Sequence, residues 1–183
     1  MDNRSSLLYI LTGGSGTGKT RFCRTLAESA RALGWDVAGV ISPPLMDGAR
    51  KTGILAEDIR AGEQQLLGRQ KGLGTVPLPF RPAISIGQWL FDPRTLDWAN
   101  QVVAAAPPCD LLIVDELGPL EFRHGEGLMA AFDVISQRQY RLAVVVIRPE
   151  LVAAAHSRWR WGQVLSIENT AATGDILTGI PFP

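Results

Sequence analysis

The chain has 183 residues, 46% hydrophobic and 20% charged, with 18 basic residues balanced by 18 acidic ones. That length suits about one domain, and a chain of this size buries roughly 70% of its unfolded surface, so it needs no disulfide or metal to hold a core. Zero net charge argues against a general nucleic-acid binder, because attachment to a phosphate backbone depends on a basic excess.

In chain order, the first apolar run covers 7–11 and reads as a strand at 7–12. Glycines follow at once, where a secretory signal would need a longer apolar stretch and a small-residue cleavage site. After Lys19, the residues Phe22, Leu26, Ala30 and Leu33 recur at helical spacing, and Gly34 is placed to stop the helix. A second strand spans 37–42. Residues 43–90 break the pattern with prolines and glycines throughout, so β-hairpin ribbons are expected there, with Asp47-Gly48 as one turn.

Asp92-Pro93 supplies an N-cap and a first-turn proline. Leu96, Ala99, Val103 and Ala106 form the stripe of that helix, which Pro107-Pro108 ends. A strand at 110–115 is followed by a helical stripe of Leu128, Ala131, Phe132 and Ile135, then a strand at 142–148. Pro149 opens a helix through His156, and a last strand covers 164–167. Most strands are continuously apolar, as strands covered on both faces of a parallel sheet are. The expectation is a three-layer α/β fold with a mainly parallel sheet. It would form one domain over 1–170, with 43–90 as an inserted hairpin region and 171–183 as a loosely held tail. No apolar run approaches the roughly 20 residues of a membrane span.

The chemistry is concentrated at Gly13-Gly14-Ser15-Gly16-Thr17-Gly18-Lys19-Thr20, a full match to GxxxxGK[ST], the P-loop or Walker A pattern. A chance match anywhere in a chain of this length falls below about 1% at ordinary residue frequencies. Glycines let such a loop wrap its N–H groups around an anion at a helix start, where the helix dipole is positive. Lys19 is then expected on the β- and γ-phosphates and the Thr20 hydroxyl on Mg²⁺. At the end of the third long strand, Leu111-Leu112-Ile113-Val114 runs into Asp115-Glu116, the Walker B arrangement. Asp115 is expected to hold the metal's water shell and Glu116 to orient or deprotonate the attacking water.

The run Asp115-Glu116-Leu117-Gly118-Pro119-Leu120-Glu121-Phe122 resembles the Asp-Glu-hydrophobic-Gly-x-hydrophobic-Glu signature of the small P-loop nucleoside-triphosphatases first described from thermophiles. The short P-loop after an N-terminal strand, Lys51-Thr52-Gly53 in the hairpin region and Arg148-Pro149 after the fourth strand agree with it, and the resemblance extends to about Asn169. It implies a RecA-like P-loop fold that hydrolyses ATP and other nucleoside triphosphates with Mg²⁺. Nucleotide contacts would come from the P-loop and from the stretch that includes Asp115, Glu116, Leu117 and Gly118. Two departures stand out: Pro119 replaces a frequent lysine, and Thr170 follows Asn169 where Arg-Asp is common.

Other candidates have competing roles. Glu121 either orients water, bridges to an arginine or serves as a helix-entry acid. Arg148 either neutralises transition-state charge as an internal arginine finger or pairs with Glu121 or Asp115. Arg50 and Lys51 read best as a solvated turn. Arg158-Trp159-Arg160-Trp161 interleaves cations with aromatics, but packing at a helix–strand junction is the better reading. His124 and His156 lack partners at metal spacing, and Cys23 and Cys109 lack any CxxC partner, which suits a reducing cytoplasm. Two rivals to hydrolysis stay open: a kinase for a nucleoside or small metabolite, and a nucleotide-dependent switch. A protein partner also stays open.

Overall fold

The computed structural model describes residues 6–72 and 84–167. Its elements begin with β1 (Leu7–Thr12), α1 (Lys19–Ala32) and β2 (Val37–Ile41). Five short strands follow: β3 (Pro44–Asp47), β4 (Arg50–Asp58), β5 (Gln64–Gln70), β6 (Ile84–Ile86) and β7 (Trp89–Phe91). Then come α2 (Pro93–Ala104), β8 (Cys109–Leu117), α3 (Pro119–His124), α4 (Ala130–Gln137), β9 (Tyr140–Ile147), α5 (Val152–Arg158) and β10 (Gln163–Ser166).

Strands β10, β1, β9, β8 and β2 lie side by side in that order, each parallel to its neighbour. These are the five strands expected from the apolar runs. Their side chains alternate between two buried layers, Leu8 and Ile10 on one side, Tyr9 and Leu11 on the other. The second layer is closed by α1 through Phe22, Cys23, Leu26, Ala27 and Ala30. The first is closed by α2, α4 and α5 through Leu96, Ala99, Val103, Phe132, Ile135 and Ala155. The sheet therefore has helices on both faces, as continuous apolar strands require.

Beyond β2 the sheet turns antiparallel. β4 pairs with β2, β5 with β4, and β7 with β5, while β3 folds back on β4. The expected hairpin ribbon is present here, and Asp47 pairs with Arg50 across a turn that Gly48 opens at φ +58. Lys51, read as part of a solvated turn, is exposed beside that turn, with its Nζ over the Trp89 ring at 5.1 Å. The Asp92 carboxylate caps α2 by accepting from the Arg94 backbone N–H at 3.0 Å.

Some expectations shift. Leu33, assigned to the apolar stripe of α1, is the helix C-cap and stands 59% exposed, because the helix has already ended at Ala32. Pro149 opens a helical turn as expected, and Pro119 opens the short helix α3. Trp159 is fully buried against Phe132, with ring centroids 5.7 Å apart, so it packs the core as expected. The tail at 171–183, Asn169 and Thr170 lie outside the described residues.

Candidate active site

Strand order decides what meets at the carboxyl edge of the parallel strands. The chain leaves β1 into the glycine-rich loop, and the end of β8 carries Asp115 and Glu116. β9 runs between β1 and β8 and delivers Arg148 into the space between them.

The loop from Gly13 to Gly18 needs glycine: Gly13, Gly16 and Gly18 have φ of 152°, 77° and 95°. At Gly13 even a Cβ would stand 2.3 Å from the Ile167 carbonyl oxygen. The close approach arises because the Ile167 N–H donates to the Thr12 carbonyl at 2.8 Å, seating the end of β10 against the loop. Gly14, Ser15 and Gly16 are exposed, and Thr17 ties the turn by donating from its hydroxyl to the Gly14 carbonyl at 3.0 Å. Gly18 caps α1 without a side-chain acceptor, so the first-turn amides face an incoming anion uncovered. Lys19 Nζ donates to the carbonyls of Gly13 at 2.8 Å and Gly14 at 2.6 Å, which holds its charge at the mouth of the loop.

Asp115 is 2% exposed. Its carboxylate accepts from the Ser42 backbone N–H at 3.2 Å, while the Ser42 hydroxyl donates to the Asp115 carbonyl at 3.1 Å. Burial pushes its pKa up to about 6, against the lowering effect of the Thr20 and Ser42 hydrogen bonds and of Lys19. Thus Thr20 and Lys19 of the first motif lie near enough to the Asp115 carboxylate of the second to favour its charged form. Ser42 had no signal in the sequence beyond its place at a strand end.

Glu116 sits one residue further on with φ +74, on a bulge where pairing passes from Val114–Val145 to Leu117–Ile147. Its Oε1 accepts from Arg148 Nε at 2.9 Å and from a terminal Arg148 nitrogen at 2.7 Å. The expected partners of Arg148, Glu121 or Asp115, are therefore replaced by Glu116. The bulge turns the Glu116 side chain outward, whereas Asp115 is buried and both Glu121 oxygens are taken. Glu121, 7% exposed, accepts from the Gly118 N–H at 2.7 Å and the Leu128 N–H at 2.9 Å. Burial pushes its pKa up. It joins two loops and bridges to no arginine among the described residues. Leu117 is fully buried, so only its backbone faces this edge.

A hard divalent cation suits Asp115 and Thr20. Both offer oxygen, they are near neighbours, and a cation would offset the burial that disfavours the charged carboxylate. No cluster of three or more His, Cys, Asp or Glu side chains suited to a metal occurs among the described residues. One or two protein oxygens beside phosphate oxygens is the arrangement that Mg²⁺ accepts. One further buried group, the Thr12 hydroxyl before the loop, has no hydrogen-bond partner among the described residues.

A mainly parallel α/β sheet with this loop after its first strand and an acid at the end of a nearby strand defines the P-loop nucleoside-triphosphatase fold. Residues 8–173 match the family described as NTPase, and the chain belongs to that family. It is 26% identical over 142 residues to the nucleoside-triphosphatase THEP1 of Thermococcus kodakarensis, covering 76% of each chain. Against the Methanopyrus kandleri protein of the same name it is 27% identical over 152 residues, covering 77% of this chain and 79% of the relative. Among solved structures, a human cancer-related nucleoside triphosphatase superposes with a TM-score of 0.65 at 21% identity, covering 96% of this chain and 97% of the other. THEP1 from Aquifex aeolicus superposes with a TM-score of 0.58 at 17% identity over the same shares. These two likenesses concern the fold alone.

Proposed function

We propose that the protein hydrolyses nucleoside triphosphates to diphosphate and phosphate with Mg²⁺, and that residues 1–170 act as one domain in doing so. The observation that carries this reading is the Lys19 ammonium held on the Gly13 and Gly14 carbonyls of the glycine loop, with the buried Asp115 carboxylate near enough to feel its charge. The names of the relatives favour the same chemistry.

The amides of residues 13–18 and Lys19 bind and neutralise the β- and γ-phosphates. Thr20 and Asp115 would hold Mg²⁺, which would supply positive charge to offset that of the phosphates. Glu116 aligns a water opposite the scissile bond. The water oxygen bonds to the γ-phosphorus, the bond to the β,γ-bridging oxygen breaks, and the water proton passes to Glu116 or a phosphate oxygen. Leu117 and Gly118 contribute backbone beside the nucleotide. Glu121 acts as a positioning residue: it pins the Gly118 amide and so fixes the turn that follows Glu116. Arg148 supplies positive charge next to the reacting phosphoryl group.

No helix among the described residues is long and apolar enough to cross a membrane. The free thiols of Cys23 and Cys109 fit the reducing cytoplasm proposed for the protein.

The test is phosphate release from ATP, GTP, CTP and UTP by purified protein with Mg²⁺. Turnover should need no acceptor other than water and fall by orders of magnitude in Lys19→Ala. Release that appears only when a metabolite mixture is added would identify a kinase instead. Tight binding with no release from any of the four would identify a switch.

A further inference from the structure

Glu116, the residue proposed above to align water, is already paired with Arg148. Its left-handed φ of +74 is a conformation side chains rarely adopt. Two charge-assisted hydrogen bonds from Arg148 fall on a single oxygen, Oε1. Those two bonds hold the carboxylate in one orientation, so it is not free to turn toward an attacking water. Yet the pair lies at the rim of the site, with Arg148 47% and Glu116 36% exposed. Exposed pairs of this kind are weakly held, and this one can separate without disturbing the core.

We propose that the pair is a latch: Arg148 restrains Glu116 until the γ-phosphate of a bound triphosphate draws the guanidinium away, and the freed carboxylate then aligns the water. The inference rests on the triphosphate-hydrolysis reading above and gives Arg148 two alternating anionic partners. Arg148 follows directly from β9, the strand between the phosphate loop and Glu116, so both partners lie to its sides. A terminal phosphate offers more negative charge than a carboxylate and several oxygens to a planar fork of donors. A diphosphate lacks that terminal group. Bound product therefore leaves the latch closed, and only a triphosphate opens it.

The surroundings allow this exchange to be local. Glu121 holds the Gly118 amide and the Leu128 amide at once, which anchors the backbone just beyond Glu116. A Cβ on Gly118 would stand 3.7 Å from Arg148 Nε, so the guanidinium rests on that glycine. The moving parts are two side chains on a fixed turn.

The experiment uses the full chain labelled with ¹⁵N-arginine, with the Arg148 Nε–H resonance identified by its loss in Arg148→Lys. Mg²⁺ with ADP should leave that resonance near its position in the free protein, and Mg²⁺ with β,γ-imido-ATP should move it. In turnover, Arg148→Ala should lower kcat by about 10³-fold, with ADP affinity held within about twofold. Arg148→Lys, which keeps the charge but loses the fork, should recover part of the rate. The latch is overturned if both nucleotides bind and move the resonance alike, or if Arg148→Ala turns over at the wild-type rate. If neither nucleotide binds, the hydrolysis reading fails first and the latch falls with it.

Discussion

Replacing Asp115 by Asn should stabilise the metal-free protein while abolishing hydrolysis, and the gain should depend on pH in a defined direction. The Asp115 pKa stands at about 6 in the folded chain against an ordinary value of 3.8. Between those two values the native state holds a proton that the unfolded state has released. Stability conferred by the protonated group is therefore fully present below pH 4 and is lost as pH rises through 6. A shift of about two units corresponds to about 3 kcal/mol of destabilisation at pH 7. Asn carries no charge to desolvate, but its NH₂ replaces an acceptor that faces Thr20 or Ser42, a loss of about 1 kcal/mol. The expected net gain at pH 7 is about 2 kcal/mol, or roughly 4–8 °C in Tm for a domain of this size. Urea unfolding of Asp115→Asn and wild type with EDTA, at pH 4 and pH 7.5, measures it. A gain at pH 7.5 that vanishes or reverses at pH 4 supports the reasoning. An equal gain at both, or destabilisation at pH 7.5, refutes it.

Glu121→Ala leaves the Gly118 and Leu128 amides without their acceptor, so it should cost about 3 kcal/mol and lower kcat more than nucleotide affinity, as read by denaturation and steady-state kinetics. Gly127→Ala should mimic it, since a Cβ there would stand only 2.0 Å from Glu121 Oε1 and Gly127 already has φ +83. Trp159→Ala removes a fully buried ring and should cost about 3–5 kcal/mol. A single-stranded nucleic-acid platform would instead lose binding with little loss of stability. Glu116→Gln should retain nucleotide binding while hydrolysis slows by orders of magnitude, measured by equilibrium titration beside phosphate release.

The parts of the fold that were legible in the chain are those governed by local pattern. Continuous apolar runs marked the parallel strands because both of their faces are covered. The prolines and glycines of 43–90 marked the ribbon because they exclude long helices. The Gly13–Thr20 loop was legible because its backbone angles demand glycine at fixed positions. What escaped depends on register. The partner of Arg148 was set by a single extra residue in β8, which turns Glu116 outward and leaves Asp115 inward. Ser42 grips Asp115 from 73 residues away, through the pairing of β2 with β8, and a serine at a strand end carries no motif. Leu33 fits the helical period, yet Gly34 stops α1 one residue too early for it to be covered.

The most direct measurement is a crystal structure with Mg²⁺ and β,γ-imido-ATP. The account predicts phosphate oxygens against the amides of residues 13–18, Lys19 Nζ swung from the Gly13 and Gly14 carbonyls onto the β- and γ-oxygens, and Mg²⁺ beside Thr20 and Asp115. A triphosphate bound elsewhere, with Lys19 still on those carbonyls, would contradict it.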